Sequence, residues 1–202
     1  MEFAFTDEQE LLRREARNVL ANGGWAKDDV AELDFLDRAV LYEEAGRAGR
    51  GEEFFDSQAA QNERLAALSL EAVGIASKAL ELAVDYAKTR QQFGKPIGSF
   101  QAVSHRLADT YVETELARSL AYWAAWCVAE GDAQAELACA AAKVCCGDTA
   151  VAACERSIQI HGGIGFTWEH VLHEYYKRAL WIQAFDGYPS KHRARIAAHL
   201  LD

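Results

Sequence analysis

An all-α bundle is what this sequence predicts, and three observations carry the prediction. Only two of the 202 residues are proline, and alanine, leucine and glutamate, all good helix formers, run through most of the chain. Apolar residues recur three and four apart over long stretches. No stretch alternates apolar and polar residues for long enough to make a convincing strand. Helices with apolar stripes must bury them on one another, so the expected architecture is an up-and-down helical bundle.

Thr6-Asp7-Glu8-Gln9 has capping-box form, with Phe5 before it as a candidate staple, and opens a helix to about Leu20. Phe3, Leu11, Leu12 and Val19 are its expected core contacts. Asn22-Gly23-Gly24 ends it, and 25–30 is a polar connector. Asp34 is placed to cap a second helix whose stripe is Phe35, Leu36, Ala39, Val40 and Tyr42, ending at Gly46. Residues 47–62 are polar, glycine-broken and weakly patterned, which predicts a loop. A long helix follows over 64–90, with Leu65, Leu68, Ala72, Ile75, Ala79, Leu82, Ala83 and Tyr86 at helical spacing. Ser99 is placed to cap the next, which runs to about Ala129. An alanine-rich third helix spans 133–160, and its small side chains predict close packing. His161-Gly162-Gly163-Ile164-Gly165 ends it. These glycines follow a helix rather than a strand, so they are not a dinucleotide fingerprint. Helices over about 168–184 and 190–201 complete the chain, with the turn Asp186-Gly187-Tyr188-Pro189 between them. The expected division is a short N-terminal helical region with its loop, 1–62, and a helical bundle, 63–202.

Charge and cysteine content narrow the function. Lys+Arg 21 against Asp+Glu 31 gives a net charge of −10, which disfavours nucleic acid or an anionic membrane as the main partner. A few local arginines can still hold an anionic cofactor. Five cysteines, all inside helical patterns, match neither a disulfide framework nor a zinc ribbon. Buried thiols in a reducing compartment are expected. Met1–Phe5 leads straight into acidic residues, unlike a signal peptide, and no uncharged apolar run is long enough to span a bilayer. The expected location is cytoplasmic.

Lys88 to Gln101 is the sharpest break between two long helices, punctuated by Gly94, Pro96 and Gly98. A helix-joining turn needs only a few polar residues, yet this one carries Arg90, Phe93 and Phe100. One reading is a helix C-terminus with a cationic side chain and packed aromatics. The other is a site where Arg90 meets a phosphate and Phe93 stacks on a ring. Glu71 lies in an otherwise apolar stretch, where a carboxylate is costly unless paired or neutral; the alternative is a partly exposed edge. Asp186 suits a cleft rim and an ordinary turn equally well. Gln159 and the Gly162-Gly163 pair close a helix, and the bare glycines would also let a ligand approach. His170, His173 and Glu174 have metal-ligand spacing, but nothing else in the chain has a claim to complete such a site, so no metal is expected.

Taken together these residues resemble the acyl-CoA dehydrogenase family. Tyr86-Ala-Lys-Thr-Arg-Gln-Gln-Phe-Gly-Lys-Pro-Ile-Gly-Ser-Phe-Gln-Ala102 is similar to the turn after the first long helix of that family's C-terminal domain. Ile158-Gln-Ile-His-Gly-Gly-Ile-Gly-Phe166 resembles its second signature, and Met1-Glu-Phe-Ala-Phe-Thr-Asp-Glu-Gln-Glu-Leu-Leu12 its usual opening. The resemblance covers about 1–22 and nearly all of 65–202.

It implies a C-terminal helical domain that contacts FAD through Arg90 (pyrophosphate), Phe93 (a nearby aromatic), Gln159 and Gly163, usually on the FAD of a neighbouring subunit. Asp186 falls where many members carry the catalytic glutamate, the base that takes the α-proton of an acyl-CoA while hydride leaves the β-carbon for the flavin. Two departures stand against this. Aspartate is one methylene shorter than glutamate. The family's middle β-domain, which covers one face of the flavin and builds much of the acyl-CoA pocket, has no counterpart between Ala48 and Leu65. The expectation is therefore a dehydrogenase-like flavoprotein or a reduced subunit of one, with Asp186 or Glu71 as base. Its partners would be an acyl-CoA thioester and either further copies of itself or a longer dehydrogenase chain. Two rivals remain: a helical partner that has lost flavin and substrate, and a small flavin-free enzyme using Asp186, Glu71 or His161 in the vacated cleft.

Overall fold

A computed structural model describes residues 5–25, 30 and 32–201. Among these residues the chain is a helical bundle. Helix α1 (Asp7–Ala21) starts at the expected capping box: Thr6 Oγ1 accepts from the Gln9 amide, and the Gln9 side chain accepts from the Thr6 amide, each at 3.2 Å. Phe5 sits edge-on to Tyr122, ring centroids 4.8 Å apart, with the Arg13 guanidinium over it. Phe3 lies outside the described residues. Helix α2 (Phe35–Ala48) is capped by Asp34, which accepts from the Asp37 amide at 2.9 Å.

Gly46 does not end α2. The helix runs on to Ala48 and stops at Gly49, whose φ of +74° suits glycine. Gly46 is instead a packing contact, since a Cβ there would lie 2.2 Å from the Glu71 carbonyl oxygen. Gly74 answers it from the other side, where a Cβ would meet the Glu43 carbonyl at 2.0 Å. The expected loop over 47–62 is likewise more ordered than its composition suggested. It holds the last turn of α2, the short helix α3 (Gly51–Phe54) and the first residues of α4 (Gln61–Thr89).

Helix α4 is the central rod, packing on α2, on α5 (Gln101–Ala129), on α6 (Ala135–His161) and on α7 (Leu172–Ala184). Between α4 and α5 the chain makes a small hairpin, β1 (Gln91–Gln92) with β2 (Lys95–Pro96), where no strand was expected. Ser99 does not cap α5. Its hydroxyl donates to the Pro96 carbonyl at 2.7 Å within a 3₁₀ turn, Ile97–Ser99. A second 3₁₀ turn, Gly162–Phe166, follows α6, so α7 starts later than the sequence pattern suggested. Helix α8 (Pro189–Leu201) lies on α6. The five cysteines are free thiols, four of them buried. The stretch 135–166 is long and apolar enough to cross a bilayer, a feature the sequence reading did not flag, yet 61% of its most apolar window is buried inside the bundle, as befits a core helix.

The N-terminal helices dock by charge as well as apolar contact. Glu44, nearly fully buried on α2, takes both arms of Arg17 from α1 at 2.6 and 2.9 Å. Its neighbour Glu43 accepts from Arg118 Nε at 2.9 Å and from the Tyr122 hydroxyl at 2.8 Å, both on α5. A buried carboxylate needs such partners, because water no longer solvates it.

Candidate functional site

The antiparallel run of α4, α5 and α6 brings two helix C-termini to one end of the bundle. Arg90 is the C-cap of α4, and Gln159 lies in the last turn of α6. The two helix ends touch through Tyr86 and His161, whose rings stack with centroids 4.5 Å apart. The His161 ring then packs at 4.4 Å on His170. Arg90, Phe93, Gln159 and Gly163 are thus gathered at one end of the fold, and all four are exposed.

Each is presented outward for a local reason. Phe93 and Gly94 are the two central residues of the hairpin, with φ of +53° and +77°. That is the geometry of a type I′ turn, which asks for left-handed backbone at both positions. A phenylalanine held there carries strain of about 1–2 kcal/mol. Its ring is 91% exposed, with an edge contact to Phe100 at 6.1 Å. The fold therefore holds a strained aromatic in solvent, where burial returns nothing. The Arg90 guanidinium has no hydrogen-bond or ion-pair partner among the described residues. At Gly163 a Cβ would meet nothing within 4 Å, so the glycine borders open space. Phe166 and Trp168, to which the sequence pattern assigns no site role, are also exposed here. Their signal was an aromatic pair just past a glycine-rich helix end.

The carboxylates predicted as bases lie elsewhere and apart from each other. Asp186 sits just past the end of α7, at φ +60°, followed by Gly187 at φ +117°. Its Oδ2 accepts from Arg64 Nε and Nη2 at 3.1 and 2.9 Å. Arg64 is in the first turn of α4, so this pair is at the opposite end of that rod from Arg90. The 25 residue-to-residue rises from Arg64 to Thr89 span about 38 Å along the helix. No single dinucleotide bridges that distance within one chain. Lys143, 2% exposed, sits close by and donates to the Ile182 and Gln183 carbonyls at 2.6 and 3.2 Å. Burial pulls its pKa down to about 8.

Glu71 is not on a partly exposed edge. It is 3% exposed and receives Arg178 in a bidentate pair, Nε to Oε1 at 2.7 Å and Nη2 to Oε2 at 3.0 Å. Burial pushes its pKa up, and Arg178 opposes that. Gly51 closes over it, since a Cβ there would fall 2.1 Å from the carboxylate. Arg64 and Arg178, which neutralise the two candidate bases, were missed. Their partners are 122 and 107 residues away, a separation that local pattern does not report. A cavity of about 290 Å³ opens between α2, α4 and the segment 54–59, with Leu41, Tyr42, Phe55 and Arg64 in its wall. Of the histidines with metal-ligand spacing, His173 turns its ring edge to Trp168. Among the described residues no three His, Cys, Asp or Glu side chains gather as a metal site.

Residues 49–201 match the family model for the acyl-CoA dehydrogenase C-terminal domain. The acyl-CoA dehydrogenase IpdE2 of Mycobacterium tuberculosis is 46% identical over 112 residues, 55% of this chain and 33% of that protein. Butyryl-CoA dehydrogenase from Megasphaera elsdenii superposes with a TM-score of 0.67 at 33% identity, over 70% of this chain and 37% of that one. An FAD complex of PigA gives 0.63 at 34% identity, over 66% of this chain and 35% of that one. The chain therefore spans about a third of the length of these relatives.

Proposed function

The chain belongs to the acyl-CoA dehydrogenase family, and from that premise we propose that it acts as a reduced subunit of such an enzyme, giving one end of its bundle to an FAD shared with a longer chain. The observation that carries this reading is the presentation of Arg90 and Phe93. One is a cation without an internal partner among the described residues, and the other is a strained aromatic held in solvent. Neither contributes visibly to the fold, so an external ligand is the economical reason for both.

The residues fit that ligand. Arg90 would form charge-assisted hydrogen bonds to pyrophosphate oxygens. Phe93 offers a ring face. The open backbone at Gly163 admits close approach, and the Gln159 amide can donate and accept. Bound FAD would supply the hydride acceptor for α,β-desaturation of an acyl-CoA, the family's usual reaction. The likeness to an FAD complex of PigA supports the cofactor.

The far end supports the reduced role. Asp186 is held by Arg64 and Glu71 by Arg178, so either carboxylate would have to leave an ion pair before it could reach a substrate proton. We assign the base and the cover over the flavin to the partner chain. Asp186→Asn and Glu71→Gln should then leave the turnover of a reconstituted enzyme within a few-fold of wild type. A large loss with Asp186→Asn would restore Asp186 as the base.

An absorption spectrum, taken at known oligomeric state before and after adding FAD, tests the proposal. The chain by itself should elute colourless from gel filtration, and flavin bands should appear once a longer dehydrogenase chain is co-purified with it. A chain that retains FAD without any partner would contradict the shared site. A complex that forms without flavin would favour the non-catalytic scaffold.

A further inference from the structure

Helix α8 is held to the bundle in an unusual way. Among its described residues only His192 is buried, and that ring is 0% exposed. Both ring nitrogens are enclosed with no hydrogen-bond partner among the described residues. Exposed and partly buried contacts complete the attachment: Arg193 on Asp148 at 2.6 Å, and Arg195 on Glu136 at 3.2 Å and on the Gln61 side chain at 3.1 Å. Ion pairs as exposed as these two contribute about 0–1 kcal/mol each. The one fully enclosed side chain of α8 is therefore a titratable ring, in a site with no acceptor for a second proton among the described residues.

The charges around it are unfavourable to an imidazolium. Lys143 faces it from α6, and Lys191 and Arg195 from α8 itself; Asp186, on the turn before α8, acts in the opposite sense. Asp186 is already held by Arg64. We propose that His192 is a proton-sensitive latch: neutral, it seats α8 on α6, and on protonation it leaves its site, releasing α8 and the Asp186-Gly187 turn that leads into it.

The direction follows from linkage. Burial, then Lys143, Arg195 and Lys191, lower the His192 pKa in the folded chain. In the open form it returns to about 6.5. Between those two values the open form binds the extra proton, so docking weakens as pH falls below about 6.5. The opening constant should rise by up to about tenfold per pH unit there. Lys143, with its pKa near 8, stays charged across the same window and does not mimic the effect.

The test is amide hydrogen exchange of 189–201 in the full chain between pH 7.0 and 5.5, corrected for the intrinsic pH dependence of exchange. Protection of α8 should fall several-fold or more across that range while protection in the middle of α4 holds. His192→Phe, which keeps a ring in the site and cannot titrate, should abolish the change. If that variant does not fold, the wild-type His192 ring signals decide by NMR. A ring that stays neutral until α8 loses protection supports the latch. A ring that titrates near 6.5 with α8 still protected, or an α8 response that persists in His192→Phe, overturns it.

Discussion

At the scale of single residues, the bundle separates charges that hold it together from charges it leaves free. Glu71 and Arg178 form a buried bidentate pair. Removing Arg178 as Arg178→Ala would strand a carboxylate in the core and should cost about 3–5 kcal/mol, measured by urea unfolding. Arg90→Ala should stay within about 0.5 kcal/mol of wild type, because the side chain touches nothing that needs it. Phe93→Gly should raise stability by up to about 1–2 kcal/mol by relieving the left-handed backbone, while weakening flavin retention in any complex. The same residues show what sequence could and could not report. That a carboxylate at position 71 required a partner was legible from its apolar neighbours. Which partner was not, since Arg178 lies 107 residues on. Lys143 and His192 were overlooked because nothing in their neighbourhood distinguishes a buried cation or imidazole from a surface one.

At the scale of elements, helix period was enough to find the five long or medium helices of 63–202, and the capping residues Thr6 and Asp34 were correctly placed. The errors cluster where a glycine or a serine had two physical uses. Gly46 was taken for a helix stop, but it is where α2 and α4 approach backbone to backbone. A Cβ 2.2 Å from a carbonyl oxygen is a clash no rotamer relieves. Gly46→Ala should therefore destabilise by about 1–3 kcal/mol or more, read as a fall in urea midpoint. A glycine serving only as a left-handed stop would lose about 1 kcal/mol with alanine, so a loss toward the upper end of the range marks the packing role. The hairpin at 91–96 was missed because two-residue strands leave no alternation to detect. Its importance lies in the turn between them, which fixes the direction of Phe93. Residues 47–62 read as a loop on composition, yet Gly51 packs against the Glu71 carboxylate and Phe55 against Trp181 and Phe185. Those contacts arise in the folded chain and leave no periodic trace.

At the scale of the whole molecule, the central rod α4 keeps two ends apart. One end carries Arg90, Phe93, Gln159 and Gly163 facing outward; the other carries Asp186 locked to Arg64. About 38 Å separates them along the helix, so the two sets serve different places even if both serve one enzyme. Under the proposed function, that spacing puts the Arg90 end on a flavin held largely by a neighbouring chain. Between Ala48 and Leu65 the chain holds only α3, its flanking turns and the start of α4. The central claim is that Arg90 is kept for a flavin and not for the fold. The most direct measurement is the flavin content, by absorbance, of the complex between this chain and a longer acyl-CoA dehydrogenase chain, comparing wild type with Arg90→Ala at equal stability. The variant complex should still assemble and lose most of its flavin. A variant complex that keeps its full flavin complement would contradict it.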